Sequence, residues 1–177
     1  MLAATAARLS PSDRVLEIGC GTGGTAIRLA PGVGAWIATD FSEEMVRIAR
    51  AKPGAETVTF RVADAAEAIG DGPFDAICAF NVLHLVEDLP GMLASVHDNL
   101  RPGGELIAKV WCFAEVRPLL RALFLLLRLV GLSPVAHFLT QAQLREALGR
   151  AGLEIVEHRV FGAHPQNPFI VARRPAT

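Results

Sequence analysis

No two cysteines stand at C-x-x-C spacing. The three present, Cys20, Cys78 and Cys112, are odd in number and far apart. That excludes a disulfide framework and a cysteine-built zinc site, and it reads as three reduced, buried thiols in a reducing compartment. A cytoplasmic location is the matching expectation. Charge of one sign is also missing: 17 Lys and Arg stand against 18 Asp and Glu, a net charge of -1. This gives no electrostatic footprint for nucleic acid, which is not expected as a partner. His97, His158 and His164 have no partners at ligand spacing, so no metal is expected. The opening MLAATAARLSPSDR has no long apolar run behind a basic head and does not read as a secretory leader. The greasiest stretch, PLLRALFLLLRLVGL, is cut by Arg121 and Arg128. It falls short of the roughly 20 clean apolar residues of a membrane span. Internal repeats, low-complexity tracts and linkers are also lacking.

What is present is 177 residues, 51% of them hydrophobic, enough for one domain with a proper core. Strand-like and helix-like runs alternate. RVLEIG, AWIATD, TVTFRV, FDAICAF and ELIAKVW read as strands. GTAIRLA, SEEMVRIARAK and DLPGMLASVHDNL read as helices between them, the second capped by Ser42 with acids in its first turn. RPGG is a turn feeding the fifth strand. This alternation predicts right-handed crossovers and a parallel sheet covered on both faces. The pattern then changes. TQAQLREALGRAGL is an amphipathic helix capped by Thr140 and ended by Gly152. EIVEHRVF and FIVARR follow with only GAHPQN between them, a connection short enough to force an antiparallel pair.

The stretch VLEIGCGTGGTAIRLA admits two readings. Gly19, Gly21 and Gly24 spell the G-x-G-x-x-G of a dinucleotide loop. Gly19, Gly21 and Gly23 spell G-x-G-x-G, with Glu17 two residues upstream. Either loop lets backbone approach a ligand closely. Glu17 distinguishes them, because a carboxylate opposes a pyrophosphate and suits a cationic, phosphate-free cofactor such as S-adenosylmethionine. Asp40, at the end of the second strand, can accept both ribose hydroxyls of either cofactor. Phe41 and Met45 can line an adenine pocket, or belong to the core. Asp64, Asn81 and the glycine loop all fall at predicted strand ends, and so converge on one edge of the sheet.

Taken together, LEIGCGTG, ATDFSEEMVRIAR, VADAAE, FDAICAFNVLHLVED and LRPGGELIAKV make the chain resemble the class I S-adenosylmethionine-dependent methyltransferases. The resemblance is strong over residues 9 to 112 and weaker through the terminal hairpin. It implies a Rossmann-like, doubly wound seven-stranded α/β sheet, mostly parallel with an antiparallel last strand. It also implies cofactor contacts at Gly19, Gly21, Asp40, Phe41, Asp64, Ala65 and Asn81. Glu17, Cys20, Gly23, Met45 and Val82 complete the expected cofactor set, and S-adenosylhomocysteine would be the product. A dehydrogenase is the weaker expectation, since hydride transfer usually calls on a second, substrate-binding domain.

Methyl transfer is an in-line displacement whose leaving group is already activated. The protein has chiefly to align the acceptor and exclude water. A general base is required only where the acceptor must lose a proton. His84, three residues beyond Asn81, is the candidate base, with a framing role weighed above it. His137 reads as a loop or core histidine. NPF at residues 167 to 169 has the look of an amino-methylating motif but opens the last strand instead of following the fourth. It is read as a turn.

A single domain over 1–177 is expected, with an apolar helical insertion at about 113–139. On a helix over 115–132, Arg117, Arg121 and Arg128 fall within about 40° of one another. The rest of the circumference is apolar, which suits a lid over a small or lipophilic acceptor, or a homodimer contact, better than a membrane surface. The glycine loop starts at residue 19, whereas related enzymes commonly carry a longer helical segment before it. Cover must then come from the extra helix or a partner subunit, or the site is open. The rival expectation is a non-catalytic module that binds the cofactor on the same fold.

Overall fold

Short apolar runs closed by a glycine or a polar turn become the strands. The computed structural model describes residues 1–116, 126 and 138–176. Among these, seven strands form one sheet: β1 (Arg14–Ile18), β2 (Ala35–Asp40), β3 (Thr59–Val62), β4 (Phe74–Phe80), β5 (Leu100–Lys109), β6 (Glu154–Val160) and β7 (Pro168–Arg173). Their spatial order is β3-β2-β1-β4-β5-β7-β6. The first five pair in parallel, and β7 pairs antiparallel with both β5 and β6. This is the mostly parallel sheet expected, with its last strand reversed.

The strands carry side chains into two cores because both faces are covered. Along β1, Val15 joins Trp36, Cys78, Ile107 and Phe169 on one face. Its neighbour Leu16 joins Ile77, Leu93 and Leu106 on the other. The helices whose bounds lie among the described residues are α1 (Leu2–Ala6), α2 (Gly24–Leu29), α3 (Glu43–Arg50), α4 (Ala65–Ile69), α5 (Leu89–Asn99) and α6 (Gln141–Arg150). Ser42 caps α3 through Met45 N–H, and Glu43 and Glu44 sit in its first turn with Arg47 and Arg50 in its last, matching the helix dipole. Thr140 and Gln143 close a reciprocal capping box on α6.

The chain turns one way from β1 to β2 and the other way to β4, so the topological switch point lies beside β1. Ligands of such sheets bind there, at the carboxyl ends of the strands. Register brings those ends level: Ile18 lies opposite Thr39 and Ala79, Asp40 opposite Val62, and Phe80 opposite Lys109. At the opposite end of the sheet, Arg8 forks onto Glu105 at 2.9 and 2.5 Å, and Arg173 joins it at 2.7 Å. This fixes the segment after α1 away from the switch point.

Two features differ from the sequence expectation. Helices α1 and α4 were not expected; each has five residues, too few for a helical period to show. The LRPGG turn is drawn into β5 as an irregular start, with a register shift opposite Phe74 to Ala76 and Gly103 at φ +80°. Of the expected helix over 115–132, Glu115, Val116 and Leu126 are described, and Leu126 is helical and 58% exposed; Arg117, Arg121, Arg128 and His137 lie outside the described residues. The described start of that stretch is a 3-10 turn over Phe113–Glu115. No helix of the described residues is long and apolar enough to cross a membrane.

Candidate functional site

The loop after β1 places three glycines at positive φ within five residues: Gly19 (+64°), Gly21 (+53°) and Gly23 (+73°). At two of them a side chain is excluded twice over. A Cβ on Gly19 would lie 2.7 Å from Val82 Cγ2, and one on Gly23 would lie 2.6 Å from the Phe60 ring. Gly24, by contrast, is the first residue of α2 and has nothing within 4 Å of a built Cβ. The backbone therefore requires the G-x-G-x-G set, not the dinucleotide spacing. Gly21 also has open space where its Cβ would be. Backbone at that point can approach a ligand without a side chain between them.

Asp40 ends β2 against this loop. Its Oδ2 accepts from Gly21 N–H at 2.8 Å and its Oδ1 from Ser42 N–H at 3.0 Å. A carboxylate oxygen has two lone pairs, so each retains one acceptor site for a ribose hydroxyl. Cys20 N–H donates to Thr39 O at 2.9 Å, fastening the loop to the same strand end. Phe41, next to Asp40, is 81% exposed, and Met45 is half-buried one turn into α3. An aromatic ring so exposed offers a flat apolar face on which a planar ligand can stack. Asp64 caps α4, its Oδ1 accepting from Glu67 N–H at 2.8 Å, with Ala65 half-buried behind it. Asn81 holds φ +58° at the end of β4 while its N–H donates to Lys109 O at 2.7 Å. A non-glycine residue at positive φ is uncommon, and asparagine tolerates it better than most. Val82 packs against Gly19. Gly19, Gly21, Gly23, Asp40, Phe41, Asp64, Asn81 and Val82 thus share the carboxyl edge of the sheet.

Two expected residues lie deeper than the sequence suggested. Glu17 is 2% exposed, beneath the loop, where Trp36 Nε1–H donates to its Oε2 at 3.2 Å. Burial pushes its carboxyl up to about 8, against the opposing effect of the Trp36 bond. At neutral pH it is mostly a protonated acid, not the displayed carboxylate expected. Cys20 turns its thiol into the core, where burial and the nearby Glu17 and Asp40 raise it to about 12. Its backbone is engaged as well, the N–H with Thr39 O and the carbonyl with Gly23 N–H at 3.0 Å. Cys78 and Cys112 are likewise free and buried.

His84 lies in a 3-10 turn after β4 and is 5% exposed. Its ring meets Phe113 at 5.2 Å between centroids, and its Nδ1 is buried without a hydrogen-bond partner. Burial lowers its pKa to about 4, so the imidazole is neutral throughout the physiological range. Among the described residues no group of His, Cys, Asp or Glu could hold a metal ion.

Sequence reading missed Lys52. Its Nζ donates to both the carbonyl and the hydroxyl of Thr22 at 2.7 Å, clamping the middle of the glycine loop from the far end of α3. No spacing rule could have found it, because the pairing depends on where α3 stops. Lys52→Met is expected to weaken cofactor binding about tenfold, the order of one charge-assisted hydrogen bond. Lys52→Arg should recover most of the loss. Isothermal calorimetry on folded variants measures it, and unchanged affinity in Lys52→Met would remove the clamp's role.

Comparisons with known proteins agree with this fold. A family profile described as "Methyltransferase domain" matches residues 1–158. The hybrid PKS-NRPS synthetase fsa1 of Fusarium sp. (strain FN080326) is 34% identical over 108 residues, 55% of this chain but 3% of that protein. The biotin biosynthesis bifunctional protein BioCD of Bordetella avium (strain 197N) is 37% identical over 100 residues, 55% of this chain and 22% of that protein. The chain thus spans only a small part of these relatives' length. Among solved structures, an S-adenosylmethionine-dependent methyltransferase from Mesorhizobium loti superposes with a TM-score of 0.78 at 22% identity, covering 98% of this chain and 95% of that one.

Proposed function

Because the chain belongs to the methyltransferase-domain family, as a class I S-adenosylmethionine-dependent methyltransferase, we propose that it methylates a small or lipophilic acceptor at the edge described above. The observation that carries the reading is Asp40, which braces the glycine loop through Gly21 and still has an acceptor site free on each oxygen. Residues 1–177 act as one methyltransferase unit, with the stretch at about 113–139 as cover or as a homodimer contact.

S-adenosylmethionine supplies an activated methyl group on a sulfonium, and the residues present fit it. Asp40 takes the ribose hydroxyls. Phe41 and Met45 offer an apolar surface to the adenine, and Asp64 and Ala65 flank it. Gly19, Gly21, Gly23 and the backbone of Cys20 form a wall without side chains beside the amino-acid portion. Asn81 and Val82 close that wall from β4. Glu17 lies beneath, and a nearby positive charge would draw its proton off. The remaining task is to hold the acceptor in line and keep water out.

His84 stands on the acceptor side. As the neutral imidazole it can take a hydrogen bond, or a proton, from an acceptor hydroxyl or amine at its Nδ1. His84→Ala is expected to lower kcat at least tenfold with little change in S-adenosylmethionine affinity, within the range general-base contributions span. The pH dependence carries a sign. Because burial lowers the folded pKa to about 4, activity should stay level from pH 8 down to about 5.5 and fall only toward 4. An inflection near 6.5 that disappears in the variant would contradict that depression. Equal losses in kcat and cofactor affinity would make His84 a framing residue only.

The function itself is tested by calorimetry with S-adenosylmethionine and with NAD, then by transfer of radiolabelled methyl to fractionated acceptor pools. Binding of S-adenosylmethionine alone, with label appearing in a small or lipophilic fraction, is the expected result. Binding without methylation of any pool would return the reading to a non-catalytic module.

A further inference from the structure

Beyond β5 the chain lays down aromatic rings that the cofactor contacts do not use. Val110 and Cys112 point into a core. Trp111 and Phe113, which alternate with them just past the strand, are only half-buried. Their rings stack at 5.8 Å with 27° between planes. Trp111 continues to His164 at 5.5 Å, and Phe113 continues to His84 at 5.2 Å. The result is one row running from the end of β4, beside Asn81, to the β6–β7 connection. Backbone bonds hold its far end: Cys112 N–H donates to Gln166 O at 2.7 Å and Asn167 N–H to His164 O at 3.0 Å.

Each end of the row has a buried polar atom without a partner. At one end it is His84 Nδ1, and at the other it is Oδ1 of Asn167, a residue only 4% exposed. Buried polar atoms are nearly always paired, and an orphaned acceptor is a demand for a donor.

We propose that this row is the acceptor subsite and that it takes a planar aromatic molecule bearing a hydroxyl or N–H. The assignment rests on the methyltransferase reading above for the word acceptor, but the binding surface is independent of it. The stacked Trp111 and Phe113 rings favour a flat face over a puckered one. A hydroxyl or N–H on that ligand pairs with an orphaned acceptor atom, which an apolar ring of the same size cannot do.

The test uses the full chain with S-adenosylhomocysteine present and two matched probes, 2-naphthol and its saturated counterpart decahydro-2-naphthol, followed by calorimetry. 2-Naphthol is expected to bind about tenfold more tightly than the saturated alcohol. Trp111→Ala should lose about tenfold on 2-naphthol with S-adenosylhomocysteine affinity unchanged, and Trp111→Phe should restore most of it. His164→Ala, at an exposed position, should lose severalfold and serves if Trp111→Ala fails to fold. Equal affinity for the two alcohols, or 2-naphthol binding indifferent to both alanine variants, overturns the proposal. Failure of S-adenosylhomocysteine to bind, with 2-naphthol still held by Trp111, would instead strike the methyltransferase reading and leave the aromatic site standing.

Discussion

Asp40→Ala is expected to weaken S-adenosylmethionine binding at least 100-fold. Two ribose hydroxyls donating to one carboxylate are charge-assisted hydrogen bonds of about 1.5–3 kcal/mol each, and about 2.7 kcal/mol is already 100-fold. The variant also deprives Gly21 N–H and Ser42 N–H of their acceptor. A loop with three residues at positive φ then loses the brace that holds it in that shape. Asp40→Asn separates the two contributions. It keeps one acceptor oxygen, but its amide must turn N–H groups toward Gly21 or Ser42, so a loss of about tenfold is expected. Calorimetry measures both, with thermal melts to show that the variants fold. Undiminished affinity in Asp40→Ala would remove the ribose assignment and, with it, the placement of the cofactor.

The strands and the reversal of the last one were legible because each is a short apolar run ended by a glycine or polar turn, and six residues between the last two runs leave no route to a parallel pairing. Asp40, Asp64 and Asn81 were legible for a related reason: strand ends in a parallel sheet all face one way. Elsewhere the sequence ran out for identifiable physical causes. Both glycine spacings are present in the letters, and only the backbone shows that position 24 needs no glycine while 19 and 23 do. Glu17 looked like a loop-edge carboxylate because nothing local marks Trp36 as its partner nineteen residues on. Lys52 reaches Thr22 across thirty residues, a pairing set by the length of α3 and not by any pattern. Trp111 and His164 meet for a similar reason, because β7 lies beside β5 and brings the β6–β7 connection to its end.

Glu17→Gln should change the pH dependence of stability more than any other single substitution at this edge. Burial raises the Glu17 carboxyl to about 8 in the folded chain, far above the roughly 4.3 of an unfolded one. Between those values the folded chain holds a proton that the unfolded chain has released, so stability falls as pH rises through the window and levels off above about 8. Below about 4.5 the group costs nothing. The wild-type protein should therefore lose on the order of 3 kcal/mol between pH 5 and 8.5, about 10 °C in Tm for a chain of this size. Glutamine is neutral at every pH and can still accept from Trp36, so the variant should melt at nearly constant temperature and above wild type at pH 8.5. A parallel decline in both proteins would show that Glu17 does not titrate in this range. The cofactor adds a second readout. If its cationic portion comes to rest near Glu17, the acid ionises and a proton leaves with binding. Calorimetry at pH 7 in buffers of different ionisation enthalpy should then report close to one proton released by wild type and none by Glu17→Gln. Equal proton release from the two would make Glu17 a buried acid of the core, with no part in favouring a sulfonium over a pyrophosphate.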